Sequence, residues 1–268
     1  YRKIVRSSIS LAPVGFRGVV LSNHSNAVAD AVRQAMLLRA QNGQTNFQAL
    51  TFHGSCHGSP LAYMNNHPKV AYPTSQADEA EILESVRHEM RECGIYGNTI
   101  AAIVIEPTQY LTGYVASENF ITELKSIAAE YEAALVVDET GTGFGATGKG
   151  LWQYNQDSDY LVFGKRSMVS GYFSKEQLVG FGGDEQDVHL SHAVYNGIIQ
   201  EDLVTKVKRT GKILDSHIGD VQKSSRVKAV RIQGTTMWVD TTSPEDTLAL
   251  VAHMKNKGVL VQQNGTRG

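Results

Sequence analysis

Ile103-Val104-Ile105-Glu106, Leu135-Val136-Val137-Asp138 and Tyr160-Leu161-Val162-Phe163-Gly164-Lys165 lie in succession along the middle of the chain. Each is a short apolar run that leads, directly or through one glycine, to an ionisable side chain. Runs of this length, rich in β-branched residues and separated by segments of helical periodicity, are the pattern of parallel strands buried on both faces. Ligands of such sheets bind outside the carboxyl ends of the strands. The three runs therefore predict two carboxylates and one amine gathered at a single sheet edge.

Working outward, Ser117 opens a helical stripe of Phe120, Leu124, Ile127 and Tyr131 before the Leu135 run. Strand, helix and strand in that order make a βαβ unit with a right-handed crossover. Thr99 to Ile105 frames the first strand. Before it, Asp78 to Glu92 places Ile82, Val86 and Met90 on one side of a surface helix, with Gly94 as its stop. Ala49 to Phe52 is another short strand, feeding a loop at His53 to Gly58. Gly18 to Leu21 is a further apolar approach, followed by Ser22-Asn23-His24-Ser25-Asn26 and a helical run through Ala27, Ala31, Ala35 and Leu38. Ser and Asn at that junction are natural helix caps.

Beyond Lys165 the pattern is helical over Val188 to Ile199 and Asp202 to Ile218. Val227 to Ile232 and Thr236 to Asp240 read as strands. Ser243-Pro244-Glu245-Asp246 starts a helix, with a capping Ser and Pro at the first position, that runs to Gly258. Val259 to Val261 reads as a last strand. The expected organisation is an α/β large domain with a mostly parallel central sheet over residues 1–215, then the beginning of a smaller α/β domain over 216–268.

Composition supports a soluble globular chain able to bury a large core, at 268 residues and 41% hydrophobic. The formal net charge is −2 and no long block of like charge occurs, which points away from nucleic acid and anionic membranes. No apolar run approaches the roughly 18 to 20 residues of a membrane span. Cys56 and Cys93 are the only cysteines, against a disulfide framework and for a reducing compartment. The sequence starts at Tyr1 rather than Met and is silent on a transit peptide. The glycine-rich stretch Gly141 to Gly148 lacks GxxxxGK[ST], so it is not read as a nucleotide loop.

Several of these segments also carry a family resemblance. Val137-Asp138-Glu139-Thr140, Thr147-Gly148-Lys149 and Phe163-Gly164-Lys165-Arg166-Ser167-Met168-Val169-Ser170-Gly171-Tyr172-Phe173 resemble the cofactor segment of class III pyridoxal-phosphate aminotransferases. Ile105-Glu106-Pro107-Thr108-Gln109 resembles that family's strand-end glutamate motif, and Phe52-His53-Gly54-Ser55-Cys56-His57-Gly58 its ring-stacking loop. The resemblance implies the large domain of a fold-type I enzyme with pyridoxal 5'-phosphate as cofactor. It implies that Lys165 carries the cofactor covalently and moves protons, and that Asp138 lies against the pyridine nitrogen, where its charge keeps the ring protonated. Glu106 would stand beside the substrate. Ser22, Asn23 and His24 would form the phosphate cup, and Cys56 and His57 would flank the ring. The implied reaction moves an amino group from an ω-amino acid such as 4-aminobutyrate to a 2-oxo acid. A homodimer, or a subunit of a larger complex, and a mitochondrial location follow from the resemblance alone.

Four positions depart from the family pattern. Cys56 replaces an aromatic, Ser59 an arginine for the substrate carboxylate, Gly141 a glutamine and Gly180 a threonine that reaches the neighbouring subunit's phosphate. Lost stacking and hydrogen bonds of about 0.5–3 kcal/mol each weaken cofactor binding on the order of a hundredfold to ten-thousandfold together. A second reading is therefore a catalytically degenerate relative serving as a structural or accessory subunit. In that case Asp138 and Lys165 would persist as a buried ion pair, with Glu106 paired to Lys165 or hydrated, while Ser22 and Asn23 would be an ordinary helix cap.

Overall fold

Eight strands form one sheet in the computed structural model, which describes residues 8–22, 26–41, 43–58, 67–154, 157–182 and 185–264. They are β1 (Gly18–Ser22), β2 (Phe47–Phe52), β3 (Lys69–Val70), β4 (Thr99–Ile105), β5 (Ala134–Asp138), β6 (Tyr160–Phe163), β7 (Ser170–Ser174) and β8 (Val179–Phe181). Their spatial order is β3-β2-β4-β5-β6-β7-β1-β8. Pairing is parallel from β3 through β6, antiparallel on both sides of β7, and parallel again between β1 and β8. The reversal at β7 follows from chain length. The link from Phe163 to Ser170 is far shorter than the about a dozen residues a parallel crossover needs.

Period-two alternation divides each central strand between two cores. Ile103, Ile105, Leu135 and Val137 face α2 (Glu79–Ile95) and α3 (Glu118–Glu130), meeting Ile82, Val86, Phe120, Leu124 and Ile127. Ala102, Val104, Val136 and Val162 face the other way. There α1 (Ala27–Gln41) lays Ala27, Val28, Ala31, Val32 and Ala35 on the sheet, small side chains that let helix and strands approach closely. Leu161, Phe163 and Phe173 extend the first face into an aromatic cluster with Phe144 and Trp152. Ser117 caps α3 as its sequence predicts, its hydroxyl accepting from Phe120 N–H at 3.0 Å.

The remaining helices are α4 (Glu185–Gln200), α5 (Leu203–Ser216), α6 (Ile218–Gln222) and α7 (Pro244–Asn256). A second, two-stranded antiparallel sheet pairs β9 (Val227–Gln233) with β10 (Thr236–Thr241). Two expectations change. Helix α2 runs one residue past Gly94, the expected stop, and the Asp78 carboxylate before its first turn accepts from Thr74 and Ser75. Val259 to Val261 is not a strand: no described strand pairs with it, and all three residues are exposed. Among the described residues no helix is long and apolar enough to cross a membrane.

Candidate active site

The carboxyl ends of β2, β4, β5 and β6 deliver His57, Glu106, Asp138 and Lys165 to one edge, because parallel strands align their ends. Asp138, the last residue of β5, is 1% exposed. Its Oδ1 accepts from Thr140 N–H at 3.0 Å, and its Oδ2 lies 2.8 Å from His57 Nδ1, which donates. Burial works against charge on His57, but the hydrogen bond and charge of Asp138, with Glu106 adding to them, outweigh it and raise the imidazole above its ordinary value. His57 Nε2 is buried without a partner.

Glu106 follows β4 and is 2% exposed. Its carboxylate accepts from Cys56 N–H at 3.0 Å and from Tyr110 N–H at 3.2 Å. Burial pushes this carboxyl up; His57 opposes the shift, and the Asp138 charge adds to it. Glu106 is thus buried on two backbone donors and is not paired with Lys165. Cys56 is exposed beside it and joins the site through its backbone.

Lys165 stands two residues beyond Phe163, the end of β6, at φ +53°, in the left-handed region that a side chain rarely adopts. It forms no buried ion pair with Asp138. The partner that Asp138 would need in the interior is His57, while Lys165 is exposed, with Nζ 3.2 Å from the centroid of the Tyr110 ring. Next to it, Arg166 Nη1 donates to Gly141 O at 2.7 Å.

Ser22 closes β1. Its register partner is Ser170, and Gly171 pairs with Phe163, so Ser22 lies two strands from β6 at the same edge. Its hydroxyl is buried without a hydrogen-bond partner. Asn23, His24 and Ser59 lie outside the described residues. Gly180 is a strand residue of β8, paired with Val20.

Sequence reading missed three contributors. Glu139, adjacent to Asp138, is fully buried and accepts from Thr142 Oγ1, Gln153 N–H and Tyr154 N–H, tying the glycine-rich loop to the segment after it. Burial raises its carboxyl to about 7. Tyr110 fills the room left by Gly141, where an added Cβ would stand 3.1 Å from the Tyr110 ring. Trp238 of β10 donates from Nε1 to Tyr110 O at 2.9 Å. Tyr110, four residues past Glu106, had a local signal in its proximity to the motif. Trp238 had none. No group of His, Cys, Asp and Glu able to hold a metal ion occurs among the described residues.

Residues 60–267 match the family Aminotransferase class-III. The mitochondrial 4-aminobutyrate aminotransferase of Mus musculus is 30% identical over 216 residues, covering 72% of this chain and 43% of the relative. The chain thus spans less than half the length of that curated relative. An aminotransferase from Bacillus anthracis superposes with a TM-score of 0.87 at 18% identity, covering 99% of this chain and 72% of that one. A taurine:2-oxoglutarate aminotransferase from Bifidobacterium kashiwanohense, solved with PLP and glutamate, superposes with a TM-score of 0.81 at 17% identity, over 99% and 73%.

Proposed function

This chain belongs to the class III aminotransferase family, and from that premise we propose that it transfers amino groups with pyridoxal 5'-phosphate held by Lys165 and Asp138. Its fold is the α/β fold of the fold-type I enzymes, as the sequence implies. The observation that carries the proposal is the delivery of a buried carboxylate and an exposed amine to the carboxyl ends of neighbouring parallel strands, β5 and β6.

The residues present fit the group. A phosphorylated pyridine aldehyde needs an amine, a carboxylate and an anion donor, and Lys165, Asp138 and the partnerless Ser22 hydroxyl supply them at one edge. When bound, the cofactor supplies an electron sink for the bonds of the amino carbon. Lys165 would hold the cofactor, and its Nζ is the group that would take and return protons. Asp138 would supply the negative charge that favours a protonated pyridine nitrogen, and the His57 imidazole holds that carboxylate in place. Glu106, held by two backbone N–H groups, presents a buried carboxyl toward the substrate side.

The amino donor in this reading is an ω-amino acid such as 4-aminobutyrate and the acceptor a 2-oxo acid, supported by the relative's name. The same likeness supports a mitochondrial location. A homodimer, with residues 1–215 as the cofactor domain and 216–268 opening a smaller one, completes the proposal. Titration with pyridoxal phosphate, borohydride reduction and peptide mapping test it. A visible absorption band and a modified Lys165, both abolished in Lys165→Ala, are expected, followed by turnover in a screen of amino donors. A folded protein that gives neither band nor adduct at saturating cofactor overturns the reading.

A further inference from the structure

We infer that the Tyr110 ring is the resting place of the Lys165 amine, a positioning residue that restrains the lysine until it engages its partner. The inference rests on the reading of Lys165 as the cofactor lysine.

Three observations converge on it. Lys165 Nζ lies 3.2 Å from the Tyr110 centroid, directly on the ring face. That face attracts an ammonium through the ring quadrupole, and it has no comparable hold on a neutral amine. No described carboxylate competes, since Asp138 is bound to His57 and Glu106 to the backbone of Cys56 and Tyr110. The neighbouring cation, Arg166, is turned to Gly141 O.

Tyr110 is held at three points, two on its backbone and one on its ring. Its own N–H is anchored on Glu106, its ring packs on Gly141, and its carbonyl accepts from Trp238 Nε1. Trp238 is in turn seated on Gly113, where an added Cβ would stand 2.4 Å from the indole. Arg231 of β9 donates to Thr112 O at 2.7 Å, so the second sheet grips the loop that carries Tyr110 at two carbonyls.

To act as a nucleophile the lysine must give its proton to solvent and leave the ring. Tyr110 therefore opposes covalent capture, and removing its face speeds it. A merely structural role predicts the reverse, because a damaged site captures less.

The test is made on the full chain without cofactor. Lys165 is acetylated with acetic anhydride, the amine displacing acetate and losing its proton, and its labelling is read by peptide mass against the exposed Lys257. Tyr110→Leu should raise Lys165 labelling about two- to thirtyfold, and Tyr110→Phe, which keeps the face, should stay within about twofold of the native protein. Tyr110→Met provides a second variant without a π-face should the leucine protein fail to fold. A parallel arm adds pyridoxal phosphate and borohydride, and the yield of reduced secondary amine on Lys165 should rise in step.

Labelling in the Leu and Met proteins at or below the native level overturns the inference, as does an equal rise in Tyr110→Phe. A rise in labelling with no pyridoxal adduct in any variant sustains the Tyr110 role and overturns the cofactor reading instead.

Discussion

Lys165 sits at φ +53° with an exposed side chain, so its backbone conformation is imposed by the tight turn between β6 and β7 and not by packing of its own. A residue with a Cβ in the left-handed region costs about 1 kcal/mol relative to glycine. Lys165→Gly is therefore expected to be more stable in urea than Lys165→Ala by about 1 kcal/mol, while neither captures pyridoxal phosphate at this position. Equal stability of the two would show that the turn relaxes when the lysine is lost. Strain of this kind collects where function requires a side chain to be aimed. The identities of Glu106, Asp138 and Lys165 were legible from their place at the ends of apolar runs. The tie between His57 and Asp138 was not, because the two residues are 81 positions apart and meet only across β4.

At the scale of elements, the site depends on a loop after β4 that is clamped by the second sheet. Gly113 is the close-approach point: its φ is +74° and an added Cβ would fall 2.4 Å from Trp238 Cδ2. Arg231 reinforces the clamp by resting on the Tyr114 ring at 4.3 Å and by pairing with Asp240 at 2.7 Å. Gly113→Ala combines backbone strain with displacement of the indole and should cost about 2–4 kcal/mol in denaturant unfolding. Trp238 emission should shift to the red as the ring leaves its seat, with the buried Trp152 unaffected. Unchanged emission would mean that the loop moves and the indole stays. Helices α2 and α3 were legible because a stripe at helical spacing and a capping serine are local signals. Strand β7 was not, since its antiparallel course comes from the length of the turn before it. The expected strand at Val259 to Val261 fails for a related reason: β-branched residues favour a strand only where a neighbour offers hydrogen bonds.

For the molecule as a whole, three buried groups bind protons more tightly in the folded than in the unfolded chain. Burial raises the Glu139 carboxyl to about 7 from an ordinary value near 4.5, burial with the Asp138 charge raises Glu106 against His57, and His57 is raised by Asp138 and Glu106 against its burial. Folding that takes up protons loses stability as they are withdrawn. The contribution of Glu139 is fully present below about pH 4.5 and declines as the pH rises through about 7, and His57 carries the decline above its ordinary 6.5. The half-buried carboxylates of Asp78 and Asp246 are held low by hydrogen bonds from neighbouring hydroxyl groups and act in the opposite sense, but only as the pH falls below the ordinary aspartate range near 3.8. The urea midpoint should therefore fall between pH 4.5 and 7, and Glu139→Gln, which cannot ionise, should show a flatter profile, with its deficit against the native protein largest near pH 4.5 and smallest above about 7. A variant that keeps the full slope would assign it to Glu106 and His57. By itself the sequence determined the central runs of β4, β5 and β6, the helices α3 and α7 with their capping serines, and the gathering of Glu106, Asp138 and Lys165 at one edge, because periodicity and capping act over a few residues and parallel strands align their ends. Only the tertiary structure decided that Asp138 pairs with His57, that Lys165 rests on Tyr110, and that Trp238, 128 positions away, holds Tyr110 in place. Those choices lie between segments remote in sequence, and close packing selects them by shape and by which buried charge lacks a partner, which no local pattern encodes.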